Sequence, residues 1–274
     1  MPISEVMLQR EMQLGQVSEE YIIRHVDENL RIMNVAVDRA ISDPVPSMGG
    51  LIGGEAKKVH DLDASKAVCG PAIHKAIINA LAVSETNASM GKIIAAPTAG
   101  SAGVLPAVLL SYYEEHSIDM EPLRAGYLNA SAIGYILTRN GSVSGAEAGC
   151  QAEVGSASAM AASALVEMLG GTPEQCCKAA SVALSNLLGM VCDPVRGLVE
   201  VPCQTRNTIG AVGAYAAAEL ALADAGITVP LDEMIQIMLD VGHSLPASLR
   251  ETGKGGCATA PSLCAACTAN SKKA

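Results

Sequence analysis

Hydrophobic positions recur at intervals of three and four residues in the segment 18–41. The positions on that spacing are Ile22, Val26, Leu30, Met33 and Val37. Because an α-helix completes a turn in about 3.6 residues, these side chains share one face, and the pattern predicts an amphipathic helix. We expect this helix to be the first of the fold.

The same reasoning predicts seven further helices, over residues 70–89, 105–116, 121–138, 156–169, 173–190, 207–225 and 231–241. Some begin with a proline followed by an acidic residue, as in the run Thr172-Pro173-Glu174, which suits the free amides and positive end of a helix. Signals for extended structure are weak, at 92–96 and 198–201, and neither has a second half that would complete a hairpin. The sequence therefore predicts a mainly α fold, a compact multi-helix domain.

Glycine- and proline-rich joints separate these helices. They cover residues 43–54, 96–106, 141–155, 192–207 and 251–257. Such residues permit tight turns and let the backbone approach a ligand closely, and helical folds often build their sites in loops at helix ends. The segment 43–54 (DPVPSMGGLIGG) is either a functional loop or a linker, and the other four joints are expected to form the site.

Composition narrows the class of protein. The 274 residues are 50% hydrophobic but include only six Tyr and no Phe or Trp, so the core is filled by Ala, Leu, Ile, Val and Met. The net charge of -10 leaves no basic stripe for nucleic acid or an anionic membrane surface. The N-terminus lacks the apolar core of a signal peptide. The most apolar stretch, 209–223, contains Glu219 and is expected to be a buried helix. We therefore expect a cytoplasmic protein that binds neither nucleic acid nor membranes.

Nine cysteines are an odd number in a chain with no export signal, so reduced thiols are a better explanation than a full disulfide framework. Cys150, Cys192 and Cys203 lie in glycine- or proline-flanked joints, whereas Cys176 and Cys177 lie inside a predicted helix and suit packing. The spacing of the first three matches neither a compact zinc motif nor a ferredoxin run. Any one of them alone could be a small core residue.

Together, these three cysteines indicate a specific chemistry. Three thiolates on a four-iron cluster leave one iron without a protein ligand, and such an iron can act as a Lewis acid on a hydroxyl leaving group, which is hydro-lyase chemistry. A structural zinc site would instead tend to close its coordination with a fourth Cys or His.

Four long runs carry a family resemblance. They are IIAAPTAGSAGVLPAVL (93–109), SGAEAGCQAEVGSASAMAASAL (144–165), MVCDPVRGLVEVPCQTRNTIGAV (190–212) and RETGKGG (250–256). In these runs the chain resembles the alpha subunit of iron-sulfur-dependent L-serine dehydratase (L-serine ammonia-lyase), and the likeness extends over most of its length. The resemblance implies conversion of L-serine to pyruvate and ammonia by dehydration, without pyridoxal phosphate. It also implies a helical alpha-type domain, here residues 1–256.

The resemblance further implies an oxygen-sensitive [4Fe-4S] cluster held by Cys150, Cys192 and Cys203. It implies a beta part with other active-site residues. Since no such part precedes the helix that begins near residue 18, we expect a separate beta subunit and a hetero-oligomer. Two departures from the family pattern, Ala102 in place of a common Cys and Arg196 in place of a small residue, remove no cluster ligand.

The tail 257–274 is less settled, because Cys257, Cys264 and Cys267 follow the last motif. In some single-chain members of the family a tail cysteine occupies the open iron, so a fourth thiolate is one alternative. Incidental thiols on a free polar tail are the other.

Substrate-binding candidates flank the cysteines. The backbone amides and hydroxyls of Thr98, Ala99, Gly100 and Ser101 precede a predicted helix and could bind a carboxylate, although an ordinary helix cap would look the same. Arg206 and Asn207 could hydrogen-bond the cluster or the substrate, or be a surface arginine and a capping asparagine.

Each of three further sets of residues has two possible interpretations, one functional and one structural. Gly49, Gly50, Gly53 and Gly54 could frame the substrate or form a hinge. Glu147 and Glu153 could provide a base or only helix-terminal charge. His243 could exchange protons or cap a helix. The sequence does not assign the catalytic base, which the beta subunit could supply. Two alternative functions stay open: an L-cysteine desulfidase of the same family, and a non-catalytic cluster-bearing subunit.

Overall fold

The computed structural model describes residues 1–226 and 229–263. Within that part the chain forms eleven α-helices, joined by short 3₁₀ turns, and no β-strand. The helices are α1 Ile3–Gly15, α2 Glu19–Ser42, α3 Glu55–His60, α4 Pro71–Ala88, α5 Val104–His116, α6 Met120–Asn140, α7 Gly145–Ala148, α8 Ser156–Met168, α9 Pro173–Asn186, α10 Cys203–Leu222 and α11 Leu231–Ser244. The predicted mainly α fold is confirmed.

The amphipathic helix expected to open the fold is α2, but it is the second helix. It begins where Ser18 accepts a hydrogen bond from the Tyr21 amide, at 3.3 Å. The expectation that it comes first was wrong, because α1 precedes it. Charged residues interrupt the apolar positions of α1, so its local pattern is weak. A distant contact helps to fix it: the Ser4 amide donates to Glu167 on α8, at 3.0 Å.

The central helix is α8, where all residues except Glu167 are buried. It packs against α5, α6, α9 and α10. Its Ala- and Ser-rich sequence lets neighbouring backbones approach closely, and the Ser158 hydroxyl donates to the Gly210 carbonyl on α10 at 2.7 Å. This packing supplies a core without Phe or Trp, as the composition requires.

Two predicted helix ends differ from the structure by four residues, about one helical turn. Helix α10 begins at Cys203 rather than at residue 207, so this cysteine occupies the first helical turn. Helix α9 begins with a capping box between Thr172 and Gln175 but ends at Asn186, before the predicted residue 190. The chain then turns through Gly189, whose φ of 83° suits glycine.

The two segments expected to be extended, 92–96 and 198–201, form no strand in the described part of the chain. Neither has a neighbouring strand to pair with, and a strand needs such a partner for its backbone hydrogen bonds. A single parallel bridge joins Cys192 to Arg250.

Four glycine-rich joints meet beside α10: the turn at 97–103, the segment 149–155, the loop 192–202 and the segment 249–257. None of the helices in the described residues is both long enough and apolar enough to span a membrane.

Candidate functional site

Cys150 lies at the start of a turn of π-helix, Gln151–Gly155, that leads into α8. The turn is held from two sides. The Gln151 amide donates to the Met190 carbonyl at 3.0 Å, and its side chain donates to the Met238 carbonyl at 2.9 Å and accepts from the Gly189 amide at 2.8 Å. Such π-turns are frequent at functional sites. This one buries Cys150, which is 3% exposed.

Cys192 is held by the bridge to the segment after α11. Its amide donates to the Leu249 carbonyl at 2.9 Å, and its carbonyl accepts from the Glu251 amide at 2.7 Å. The Cys192 sulfur lies against Gly145, where an added Cβ would be 2.7 Å from Sγ. Only glycine fits at position 145 while this thiol keeps its place.

Cys203 begins α10, and its carbonyl accepts from the Asn207 side chain at 2.8 Å. It is partly buried. The described cysteines form no disulfide with one another, so the three predicted ligands are free thiols.

The three thiols share one electrostatic environment. Burial is the main cause that raises the pKa of Cys150, to about 11, with the charge of Glu153 second. Burial and then Cys150 raise the pKa of Cys203 to about 12. Burial also raises the pKa of Cys192 well above its usual range, followed by Glu153 and Cys150. The tertiary structure therefore brings together three cysteines from three separate joints, and a bound cation would favour their thiolate forms.

Glu153 is the carboxyl group whose charge raises the pKa of all three thiols. It accepts from the Thr98 hydroxyl through Oε1, at 3.0 Å. A Cβ added at Gly145 would lie 2.8 Å from Oε2, so this oxygen borders the same glycine as the Cys192 sulfur. Burial raises the pKa of Glu153 despite the hydrogen bond from Thr98, with Glu251 adding to the rise. Perturbed carboxyl groups of this kind are frequent at active sites.

Arg206 forms an ion pair with Asp193, the residue that follows Cys192. Its Nη1 donates to Asp193 Oδ1 at 2.6 Å and to the Val191 carbonyl at 2.7 Å. The second oxygen of Asp193 accepts from the Cys257 amide, also at 2.6 Å. Burial would raise the pKa of Asp193, but the Cys257 amide and Arg206 together hold it below its usual range. Arg206 in turn lowers the pKa of Cys150, against the larger effect of burial.

The segment from Thr98 to Ser101 forms a 3₁₀ turn before α5. Asn207 supports it from α10: Nδ2 donates to the Gly100 carbonyl at 2.9 Å, and Oδ1 accepts from the Gly103 amide at 3.0 Å. The amides of Ala99 and Gly100 precede the first closed bond of this turn and have no acceptor among the described residues. The turn is thus present, with Asn207 holding its backbone, and its role as an anion-binding site stays a prediction.

The Gly-rich segment 43–54 contacts the site through two buried carboxylates. Glu200 accepts from the amides of Gly49 and Leu51, at 2.6 and 3.0 Å. Glu85 accepts from the amides of Gly54 and Ala56, at 2.8 and 2.7 Å. The Gly50 amide donates to the Ser47 carbonyl, and the Gly53 amide donates to Glu55. These glycine amides are therefore engaged within the protein, which is evidence against the idea that they frame a substrate.

Other predicted candidates lie apart from this group or outside the described residues. The Glu147 carboxylate accepts from the Ser142 hydroxyl at 2.7 Å, and His243 is exposed at the end of α11. Cys257 lies in a 3₁₀ turn beside Asp193, so the chain is held at least to that residue. Cys264 and Cys267 lie outside the described residues. The division at residue 256 stays a prediction.

Sequence reasoning missed four functional candidates: Glu85, Asp193, Glu200 and Glu251. Asp193 and Glu200 stand within the run 190–212, so their closeness to Cys192 and Cys203 was an available signal. Glu251 has a left-handed backbone with φ of 61°, which is uncommon for a residue with a side chain. Arg196 also adopts this conformation, with φ of 59°, which explains why a small residue suits that position.

The arrangement of the described side chains limits the kind of metal that the site could hold. Among the residues that the structure describes, no three His, Cys, Asp or Glu side chains converge as ligands of a single metal ion. Ligands of a multi-iron cluster bind different irons and need not converge on one point. Three surface cavities of the described residues lie elsewhere: one of about 650 Å³ between α1, α2 and α6, one of about 530 Å³ between α2, α5 and α6 and one of about 520 Å³ between α9 and α11. None of them is lined by Cys150, Cys192 or Cys203.

Comparisons with known proteins agree with the motifs. A family model described as "Serine dehydratase alpha chain" matches residues 1–258. The chain is 47% identical over 260 residues to the "Probable L-serine dehydratase, alpha chain" of Bacillus subtilis (strain 168), covering 94% of this chain and 86% of that protein. It is 43% identical over 257 residues to the "L-serine dehydratase, alpha chain" of Peptoniphilus asaccharolyticus, covering 93% and 88%. Identity to "L-serine dehydratase 2" of Escherichia coli (strain K12) is 40% over 264 residues, covering 93% of this chain but 57% of that longer protein.

Proposed function

The chain belongs to the serine dehydratase alpha chain family, and from that premise we propose that it forms the alpha part of an L-serine ammonia-lyase. The reaction converts L-serine to pyruvate and ammonia, by loss of water and then hydrolysis of the resulting aminoacrylate. The observation that carries the proposal is the shared environment of Cys150, Cys192, Cys203 and Glu153, built from the motifs on which the resemblance rests.

We propose that the three cysteines hold a [4Fe-4S] cluster. The fit rests on the donor set, because thiolates are the ligands that such clusters use. Cys150 and Cys192 are buried, Cys203 is partly buried, and the three thiols lie within electrostatic range of one another. When bound, the cluster would supply an iron without a protein ligand, whose Lewis acidity weakens the bond to the departing hydroxyl. The proposal requires no pyridoxal phosphate.

The turn from Thr98 to Ser101 supplies donors for the substrate. The backbone amides of Ala99 and Gly100 have no acceptor among the described residues, and amides at the start of a helical segment bind carboxylates well. Asn207 fixes the turn through both ends of its side-chain amide. We assign Asn207 to positioning the turn, and the amides of Ala99 and Gly100 to the substrate carboxylate.

Glu153 is the described group best placed to move a proton. Its raised pKa keeps a proton on the carboxyl at a pH where an exposed glutamate has lost it. Hydroxide is a poor leaving group, so protonation of the departing hydroxyl by Glu153 would assist its loss as water. The base that removes the α-proton is unassigned and could come from the beta subunit. Arg206, paired with Asp193, supports Cys150 rather than binding substrate directly.

We propose a separate beta subunit, a hetero-oligomeric enzyme and a cytoplasmic location. Support comes from the names of the relatives, two of which are called alpha chains, and from the greater length of "L-serine dehydratase 2", of which this chain covers 57%. The beta subunit would complete the active site.

Two alternatives are kept. The family resemblance also suits an L-cysteine desulfidase, in which hydrogen sulfide leaves instead of water, and a non-catalytic cluster-bearing subunit. Nothing in the described site favours either over serine dehydration.

One assay separates these functions. The chain is purified without oxygen, combined with its beta partner, and supplied with L-serine or L-cysteine, and pyruvate is measured. We expect pyruvate mainly from L-serine. Preferential turnover of L-cysteine would support the desulfidase, and no pyruvate from either amino acid would support the non-catalytic subunit.

A further inference from the structure

We infer that Glu85 is a positioning residue for Cys203, acting through Gln204 and the N-terminus of α3. The inference concerns this chain alone and gives a role to a buried carboxylate that the proposed reaction does not use. Its link to the proposed function is that Cys203 is one of the three proposed cluster ligands.

Glu85 lies within α4 and is 2% exposed. Three donors surround its carboxylate: the amides of Gly54 and Ala56, and the Gln204 side chain at 2.9 Å. A buried carboxylate that is well supplied with donors forms strong, directional hydrogen bonds, and it is costly to leave those donors unpaired. One side chain on α4 thus binds two segments that are distant in sequence, the start of α3 and the start of α10.

Gln204 links Glu85 to Cys203. It follows Cys203 directly, in the first turn of α10, and is 3% exposed. Its side chain donates to Glu85 Oε1, so Glu85 restrains the residue next to the thiol. The Cys203 end of α10 cannot shift without breaking this buried hydrogen bond.

A second, parallel link approaches Cys203 from its other side. Glu200 precedes it by one helical turn, is also 2% exposed, and binds the amides of Gly49 and Leu51. Cys203 is therefore held between Glu200 and Gln204, and both are tied to segment 47–56. This explains the glycines of that segment: a Cβ at Gly49 would lie 2.6 Å from Glu200 Oε1. The Gly-rich segment serves as a support for the Cys203 turn.

The test measures the Cys203 thiol itself in the metal-free full chain. Variants Glu85→Gln and Gln204→Leu are treated with a thiol-alkylating reagent, and mass spectrometry compares the labelling rate of Cys203 with that of the exposed Cys69 in the same molecule. Loss of a hydrogen bond to a buried carboxylate should raise the Cys203 rate about ten- to a hundredfold relative to Cys69. The backbone amides of Gly54 and Ala56 should exchange hydrogen faster in Glu85→Gln than in the wild type, and at the wild-type rate in Gln204→Leu.

The matched control is Glu167→Gln. Glu167 also accepts two hydrogen bonds, from the Ser4 amide at 3.0 Å and from Asn129 at 2.5 Å, but it joins α1 to α8 and α6. Its loss should weaken the fold without a specific increase at Cys203. Equal Cys203 rates in Glu85→Gln and Glu167→Gln, or an unchanged rate in Gln204→Leu, would overturn the inference. If Glu85→Gln fails to fold, Gln204→Leu decides alone, since it keeps the carboxylate and its two backbone donors.

The outcome is independent of the proposed reaction, because the measurement needs neither cluster nor serine. An unchanged Cys203 rate would remove the positioning role and leave serine dehydration intact. Absence of pyruvate in the assay above would remove the proposed function and leave the positioning result standing.

Discussion

The carboxylate of Asp193 joins Arg206 to the C-terminal segment: Oδ1 lies 2.6 Å from Arg206 Nη1, while Oδ2 accepts from the Cys257 amide. Asp193 directly follows Cys192, and Arg206 lies one turn after Cys203. This buried pair therefore connects all three cysteine regions, since Arg206 also acts on the Cys150 thiol. A Cβ at Gly256 would clash with Asp193, so the segment closes tightly over it.

Asp193→Ala should destabilise the metal-free protein by about 3 kcal/mol, because it leaves the guanidinium of Arg206 partly buried without its partner. Urea unfolding without oxygen measures this. Asp224→Asn removes the charge of an exposed carboxylate that pairs with Lys178 and should change stability little. Equal effects of the two substitutions would contradict the structural role of the buried pair.

The pH dependence of Asp193 has a definite sign. Its pKa is lowered in the folded protein, so its contribution to stability is present above the ordinary aspartate pKa of about 3.9 and is lost as pH falls through the lower folded value. The difference in the free energy of unfolding between the wild type and Asp193→Ala should therefore become smaller at acid pH. A difference that stays constant down to strongly acid pH would refute this linkage.

Anaerobically purified protein should be brown and contain about four irons per chain, as a [4Fe-4S] cluster requires. Cys150→Ser, Cys192→Ser and Cys203→Ser should each lose both properties, while Cys69→Ser, at an exposed position, should keep them. Cys257→Ser tests the tail separately: retention of iron is expected. A full iron complement in all three site variants would show that the ligand assignment is wrong.

Gly145→Ala should impair iron binding more than folding. The added Cβ would come within 2.7 Å of Cys192 Sγ and 2.8 Å of Glu153 Oε2, so the thiol, the carboxyl or the backbone has to move. Iron content and circular dichroism are compared with Gly70→Ala, where an added Cβ meets no atom within 4 Å. Normal iron content in Gly145→Ala would mean that the Cys192 sulfur has more freedom than the structure indicates.

Glu153→Gln should lower kcat by about a hundredfold or more, the usual effect of removing a general acid or base, with iron content preserved. Glu147→Gln is the matched control, because Glu147 is the other glutamate beside Cys150 and bonds Ser142 instead. Steady-state kinetics with the beta partner and an iron assay measure both effects. Similar kcat values for the two variants would exclude Glu153 from proton transfer.

In the metal-free protein, the Cys150 thiol should ionise only near pH 11. Because the folded-state pKa is raised, its contribution to stability is full below the ordinary thiol pKa of about 8.5 and is lost as pH rises through the folded value. Cys150→Ala should therefore flatten the fall in stability on the alkaline side. Urea unfolding at a series of pH values measures the slope.

Local patterns in the chain are sufficient to predict most of the helices and to identify the site motifs. Periodic apolar positions predict α2, and the proline and acidic residue in the first turn of α9 mark its start, because these signals act within one or two helical turns. The same holds for the three cysteines and the Thr98–Ser101 turn, whose residue types already limit the chemistry. The weakly patterned α1 escaped prediction, since a contact with Glu167 helps to fix it.

How these helices and motifs contact one another depends on packing between distant parts of the chain. Glu153 lies in the π-turn, and its carboxyl group contacts Thr98 and borders Gly145. Glu85 contacts Gln204, which is 119 positions away along the chain. The segment 43–54, ambiguous in sequence, is a carboxylate-bound support because Glu85 and Glu200 reach its amides. Hydrogen bonds over such separations have no local signature, since each donor and acceptor is an ordinary residue until packing excludes water and leaves them only each other.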